Sequence, residues 1–475
     1  MKAFLLPVAA LLSVSAALAQ TPAAYRIEGQ IRGLRDSTVR LAHYFGQSQY
    51  IVKDTARIDS GGRFVFTGTK PLPQGLYLVI PPTARPRYLD LVVSKPFFSF
   101  QTDTANYVST MRVTGSPDNA VYYAYLQQRQ RLTDEARAVE LQAQLRADDA
   151  AKQMARQQLA VLNRQAATLQ QTYLAKNDSL LALCLIRAGT DPVVPPAPRQ
   201  RNGLVDSTFQ YRYYKNHYWD TFDFTDERLV RSPIFQRKID RYLRDLTTPT
   251  VDSLVRAADL IVAKASVNNE LMAYAIWYIT SQYERPRLMG TDGVFVHMAE
   301  TYYLAGRMPT TDSSTVKTIR KRVETLRPLL VGKPFPALTA SDTLRQAIDF
   351  QKIKANYTVL YFYGPTCSYC RESMPGLKKY ADEVQGEGIR FCAIAVDNSP
   401  DAWQAFIREF GLQGWVNGYD FSFRTNYRQQ FDVLKTPTVY VLDANKTILA
   451  RALPAEQVPA FIRFQQQTER GMARK

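Results

Sequence analysis

Residues 358–375 read TVLYFYGPTCSYCRESMP, and this stretch decides the fold of the chain's C-terminal third. Its first six residues, Thr358 to Tyr363, have the apolar, aromatic and β-branched content of a buried strand. The run ends at Gly364-Pro365-Thr366, a turn signal. Cys367-Ser368-Tyr369-Cys370 then opens a helix that carries Arg371, Glu372 and Met374, with Pro375 in its second turn. A cysteine at a helix start meets unpaired backbone N–H groups and the positive end of the helix dipole, and both favour thiolate over thiol. One turn further on, Cys370 is placed to attack a mixed disulfide formed on Cys367. Cys367 reads as the nucleophile and Cys370 as the resolving thiol, and the two form a redox-active disulfide when oxidised.

Two blander readings compete. Half of a zinc site would need about four ligands in all. There is no second CxxC, and His43, His217 and His297 all lie upstream, so neither a metal nor another cofactor is expected. An inert structural disulfide is the other reading, but a CxxC closes a loop too small to stabilise much. A third feature supports redox chemistry from 67 positions beyond Cys370: Lys435-Thr436-Pro437-Thr438 precedes the apolar run Val439 to Leu442. A proline just before a sheet strand cannot donate to the ladder and is a natural place for a cis bond. Around these motifs, strand-like runs (Ile389 to Val396, Thr438 to Leu442, Ile448 to Ala450) alternate with helix-like ones (Cys370 to Val384, Ala402 to Phe410, Ala455 to Gln467). This predicts an α/β domain with a partly parallel sheet over residues 328–475.

Phe362-Tyr363-Gly364, Cys367-Ser368-Tyr369-Cys370, Met374-Pro375 and Thr436-Pro437 together resemble the thioredoxin superfamily, in particular its TlpA-like exported branch. Val331 to Pro336 resembles the start of that domain. The resemblance implies a thioredoxin-like fold in which Pro437 is cis and faces the disulfide, with the Thr436 backbone pairing with a bound substrate strand. It also implies reduction of disulfides in exported proteins, with electrons from a membrane thiol donor. The sequence departs from the family at three positions. Tyr361 stands where most members bury an acid, Thr366 where a Trp usually precedes the first cysteine, and Ser373 where the cytochrome-maturation branch often has Glu.

Upstream, residues 25–116 read as short strands punctuated by Gly and Pro, among them Tyr25 to Ile31, Thr38 to Ala42, Arg63 to Phe66, Leu76 to Ile80, Leu89 to Val93 and Phe97 to Thr102. A β-sandwich-like domain is expected there. From Asp118 to Ala188 there is no Gly or Pro, so long helices are expected, with Leu132, Val139, Leu162 and Leu169 in partial heptad spacing and a break near Asn177-Asp178-Ser179. After a Pro-rich loop, Pro192 to Pro198, an aromatic patch runs from Phe209 to Phe224. Its aromatics read as core packing more readily than as a stacking surface. Helical pattern resumes from Thr250 to about Thr325, so residues 118–327 read as a central α-helical domain. Both upstream segments resemble uncharacterised domains found ahead of such thioredoxin modules in exported bacterial proteins, which implies architecture and not activity.

The start of the chain sets the expected compartment. Lys2, an apolar run from Ala3 to Val14 and Ala17-Leu18-Ala19 make residues 1–19 a secretory signal peptide with no lipobox cysteine. No later run is long and apolar enough to span a bilayer, so the mature chain is expected to be periplasmic or otherwise exported, with no transmembrane segment. The net charge of +17 is spread without dense runs, which argues against nucleic acid as a partner. Cys184 and Cys392 lie in apolar runs and read as buried small hydrophobes. A binding protein, built on the β-rich and helical segments with a structural or regulatory thioredoxin module, is the alternative reading. A peroxidase ranks third.

Overall fold

The computed structural model of the protein describes residues 22–47, 49–82, 88–146, 148–176, 179–199, 205–397 and 399–472. The expected signal peptide lies outside these residues, as do Asn177 and Asp178 of the expected helix break. The chain forms two compact units, residues 1–237 and 238–475, and the division falls inside the stretch read as one helical domain.

The first unit opens with eight strands: β1 (Tyr25–Arg32), β2 (Ser37–Phe45), β3 (Gln49–Ile58), β4 (Arg63–Gly68), β5 (Gly75–Ile80), β6 (Leu89–Val93), β7 (Phe97–Asp103) and β8 (Arg112–Thr114). They form two four-stranded sheets, ordered β4-β1-β7-β8 and β3-β2-β5-β6. Ile27, Ile31, Phe64 and Phe100 from one sheet pack with Val39, Leu41, Tyr77 and Leu91 from the other, which is the core of a sandwich. The edge strand β3 escaped the sequence reading because most of its side chains are exposed and polar residues interrupt the alternation.

Three helices follow, α1 (Pro117–Arg146), α2 (Asp149–Leu174) and α3 (Leu181–Ala188). The start of α1 fastens them to the sandwich. The Asn119 amide accepts from Val92 N at 2.9 Å and donates to Val92 O at 2.7 Å, standing in for a neighbouring strand on the edge of β6. Asp118 accepts from Ala182 N at 2.9 Å and so caps α3. Leu132, Val139 and Leu162 do meet along an α1–α2 seam, whereas Leu169 packs in a separate cluster nearer α3. The break between α1 and α2 was not read from the sequence, although Asp148 caps α2 by accepting from Ala151 N at 2.6 Å. Cys184 on α3 is half-buried and not fully inside, with Arg228 Nη2 3.7 Å from its sulfur. The aromatic patch divides. Tyr218, Trp219 and Phe222 are buried, as core packing requires, while α4 (Phe209–His217) buries none of its residues.

Helix α5 (Ile234–Asp245) spans the division, and in the second unit α6 (Val251–Ala265), α7 (Asn269–Glu284), α8 (Gly293–Met298) and α9 (Ser313–Leu326) precede a five-stranded sheet. Its elements are β9 (Tyr357–Tyr363), α10 (Ser368–Glu383), β10 (Ile389–Ala395), α11 (Pro400–Glu409), β11 (Val416–Tyr419), α12 (Tyr427–Gln430), β12 (Thr438–Leu442), β13 (Ile448–Leu453) and α13 (Val458–Met472). The strand order is β11-β10-β9-β12-β13, parallel among β9, β10 and β11 and antiparallel at β12 and β13. Every residue of β9 is buried, as expected for a central strand covered on both faces. Tyr357, Val359, Tyr361 and Tyr363 enter one core, and Leu360 and Phe362 the other.

A buried ionic network joins the helices of this unit to its sheet. Asp432 pairs with Arg322 of α9 and accepts from Arg451 Nη2 of β13 at 2.8 Å. Arg451 Nε also lies 3.2 Å from Asp292, just ahead of α8. Arg322 Nε sits 3.3 Å from Glu284, close enough for an ion pair but not aligned as a hydrogen bond.

Candidate active site

Strand β9 ends at Tyr363, and a turn closed by Cys367 N donating to Gly364 O at 3.0 Å delivers Cys367 to the start of α10. The first helical bond, Arg371 N to Cys367 O at 3.1 Å, fixes Cys367 as the N-cap residue. Cys367 is part-exposed and Cys370, one turn on, is fully buried. Pairing of Thr438 with Phe362 sets the start of β12 beside the end of β9, which is how a residue 67 positions away reaches the cysteines. The Thr436–Pro437 bond is cis, and Cys367 Sγ lies 3.3 Å from Thr436 O, to which its thiol donates. The site residues expected from the sequence, Cys367, Cys370, Thr436 and Pro437, thus occupy one end of the sheet.

The two thiols have opposed acidities. Burial alone would push the Cys367 thiol up. Hydrogen bonds from the Thr436 side chain, the Cys370 thiol and the Cys370 and Tyr369 N–H groups outweigh it, so Cys367 settles below the ordinary cysteine value. Thr436 therefore serves both states, its carbonyl accepting from the thiol and its side chain favouring the thiolate. Cys370 is pushed up to about 12, first by burial and then by its hydrogen bond to Cys367, with Gly364 N–H opposing. A part-exposed thiol made more acidic, backed by a buried thiol made less acidic, is the arrangement that thiol–disulfide exchange requires.

Two of the three positions that depart from the family pattern, Tyr361 and Ser373, come together. Tyr361 is fully buried, and its hydroxyl lies 2.9 Å from Ser373 Oγ and donates to Cys370 O at 3.1 Å. Two positions where the family places acids thus hold a neutral Tyr–Ser pair under Cys370. Beside the cysteines runs an open groove of about 810 Å³, lined by Tyr369, Leu377, Lys435, Pro437, Leu453 and Ala455 among others. Leu453 and Ala455 belong to no motif and line the groove from the end of β13 and the segment that leads from it into α13. Cys392 is excluded by parity. It pairs with Leu360 and faces the core on the opposite side of the sheet from Cys370. Among the described residues no group of three or more His, Cys, Asp or Glu could hold a metal ion.

Iodoacetamide labelling over a pH series is expected to give Cys367 a reactivity midpoint below about 8.5, the value of a free cysteine. Cys370 is expected to stay unlabelled at neutral pH. Peptide mass spectrometry reads the two sites separately, and equal labelling of both would contradict the assigned acidities.

Residues 331–451 match the AhpC/TSA family. Residues 25–122 match a domain of unknown function (DUF4369), and residues 196–327 match another (DUF5106). No curated protein matches the chain. Among solved structures, a thioredoxin-like protein from Bacteroides caccae is 20% identical with a TM-score of 0.48, the match covering 58% of this chain and 98% of that one. A domain of a possible thiol-disulfide isomerase from Cytophaga hutchinsonii is 31% identical over 31% of this chain and 99% of that one, with a TM-score of 0.29. A thiol-disulfide oxidoreductase from Bacteroides fragilis is 21% identical over 28% of this chain and 99% of that one, with a TM-score of 0.26.

Proposed function

This chain belongs to the thioredoxin superfamily, as a TlpA-like protein with additional N-terminal domains, and from that premise we propose that it reduces disulfides in exported proteins. The observation that carries this reading is the pair of thiols with opposed acidities facing Thr436–Pro437. Cys367 thiolate attacks one sulfur of a substrate disulfide; that S–S bond breaks, the other substrate sulfur leaves as a thiolate that takes up a proton, and the attacked sulfur stays in a mixed disulfide with Cys367. Cys370 loses its proton and attacks the Cys367 sulfur. The Cys367–Cys370 disulfide forms, and the substrate sulfur that Cys367 held leaves as a second thiolate that takes up a proton. A membrane thiol donor then returns two electrons to the pair.

The groove beside Pro437 suits an extended peptide. Buried Leu377, Leu453 and Ala455 offer it an apolar floor, and the Thr436 backbone offers it a strand-like partner. Export rests on the leader-like residues 1–19. No helix among the described residues is long and apolar enough to cross a membrane.

A Cys370→Ser variant is expected to stall at the mixed disulfide, so that non-reducing gels of an exported fraction show adducts that dithiothreitol releases. Adducts that form equally on a Cys367→Ser, Cys370→Ser double variant would sink the nucleophile assignment. The direction of flow is read from the reduction potential of the pair: a value near the strongly oxidising end, about −120 mV, would overturn the reductive reading.

A further inference from the structure

Leu453 reaches the groove because β13 carries a bulge. Tyr440 pairs with Arg451 and Val439 with Leu453, so Ala452 is an extra residue with no partner on β12. Two positions along a strand return a side chain to the same face, so Leu453 would otherwise follow Arg451. Instead Leu453 enters the core that holds Cys370, while Tyr440, the residue opposite Arg451, enters the other. The bulge thus turns Leu453 to the cysteine side of the sheet and into the groove. It does so under strain. Ala452 has φ of +50°, a conformation suited to glycine, and its own exposed side chain gives little hold on it.

Arg451, the residue before the bulge, supplies a hold from the opposite face. Its Nη2 donates to Asp432 at 2.8 Å, and its Nε lies 3.2 Å from Asp292, whose side chain is 3% exposed. The same network governs another part of the lining. Lys435, Thr436 and Pro437 follow Asp432 by three to five positions, and Asp432 is paired with Arg322 of α9. Phe431 O, next to Asp432, accepts from Tyr440 Oη at 2.7 Å, which ties that segment to β12 opposite Arg451. Two parts of the groove lining therefore lead back to one cluster of buried charges. Asp432 and Arg451 lie on the thioredoxin-like part of the chain, whereas Asp292 and Arg322 lie within residues 196–327, the match to a domain of unknown function. All four belong to the second unit.

We propose that Asp292 and Arg322 are positioning residues for disulfide exchange: from the helical segment they hold Arg451 and Asp432, and so set the groove in which a substrate strand lies. The inference rests on the substrate groove proposed above. It gives the helical segment a part in substrate binding at a distance, since neither residue lines the groove. Without Asp292, Arg451 keeps one partner, the strained bulge loses part of its hold, and Leu453 is free to turn away from the groove. Without Arg322, the segment that leads to Thr436–Pro437 loses its tie to α9.

The test compares a protein substrate with a small one. Full-length protein with Cys184→Ala is assayed for insulin reduction with dithiothreitol as donor, and for attack on dithiobis(nitrobenzoate), which needs no groove. Asp292→Asn keeps the side chain's shape and is expected to raise the KM for insulin roughly tenfold with kcat little changed, the pattern of lost binding and not of lost chemistry. Attack on the small disulfide should be unchanged. Arg322→Gln should raise the same KM through the Asp432 segment. Circular dichroism and urea denaturation confirm that each variant is folded under the assay conditions. The rescue is specific: adding Ala452→Gly to Asp292→Asn should return KM to within about twofold of wild type, because glycine adopts a positive φ without help from Arg451. A folded Asp292→Asn or Arg322→Gln with the wild-type KM would overturn the proposal. So would equal loss on insulin and on the small disulfide, or a double variant no better than Asp292→Asn. Failure of the underlying reading looks different: a wild-type chain that attacks the small disulfide but does not reduce insulin.

Discussion

Replacing Cys367 by serine is expected to lower the rate of disulfide reduction by about 10³-fold or more, the scale on which loss of a covalent nucleophile collapses turnover. Insulin reduction followed by turbidity is a suitable assay. The hydroxyl keeps nearly the same volume and the same hydrogen bond to Thr436 O, so folding should be unaffected. What is lost is the charge. The N–H groups of Tyr369 and Cys370 and the Thr436 side chain are arranged to stabilise an anion on residue 367, and a serine hydroxyl does not ionise there. Cys370 cannot take over, because it is fully buried and its thiol is held at about 12. Cys392 cannot either, since it faces the opposite core and burial pushes it up to about 12. Cys392→Ala and Cys184→Ala are therefore expected to leave the rate unchanged. A Cys367→Ser protein retaining a tenth of the wild-type rate would sink the assignment.

The chemistry-bearing part of this site was legible because it is local. Cys367 and Cys370 announce themselves by their spacing after a strand, and Pro437 by its place before another. Their meeting depends only on β12 pairing with β9, which the superfamily resemblance implies. Tyr361 and Ser373 were visible one at a time, as departures from a pattern. That they bond to each other is a property of strand–helix packing and not of either position. The division of the chain between Arg237 and Lys238 was hidden for a related reason. Helical periodicity is the same on both sides, and what decides the units is which core each helix joins. Asn119 and Asp118 commit α1 and α3 to the sandwich, while Arg322 commits α9 to the sheet of the second unit.

Replacing Asp432 by alanine is expected to cost about 3–5 kcal/mol of stability, the penalty for removing one partner of a buried ion pair. The side chain of Asp432 is 7% exposed, against 14% for Arg322 and 10% for Arg451. Its removal leaves Arg322 with only Glu284, a poorly aligned ion pair, and leaves Arg451 with Asp292 alone at 3.2 Å, so two buried guanidinium groups lose a partner they shared. An exposed helix pair such as Lys379 and Glu383, 4.0 Å apart, is worth about 0.5 kcal/mol at most and provides the control. Backbone strain contributes separately, since Asp432 has φ of +50°, a conformation that Asp and Asn tolerate better than Ala. Asp432→Asn keeps the shape and the backbone tolerance while removing the charge, so its cost measures the electrostatic part alone. Urea denaturation of the two variants separates the contributions, and a loss below about 1 kcal/mol for alanine would show that the network is not holding the helices to the sheet. Activity should fall with stability in this case. Asp432 lies four residues before Thr436, and the segment it anchors is the one that presents Pro437 to Cys367.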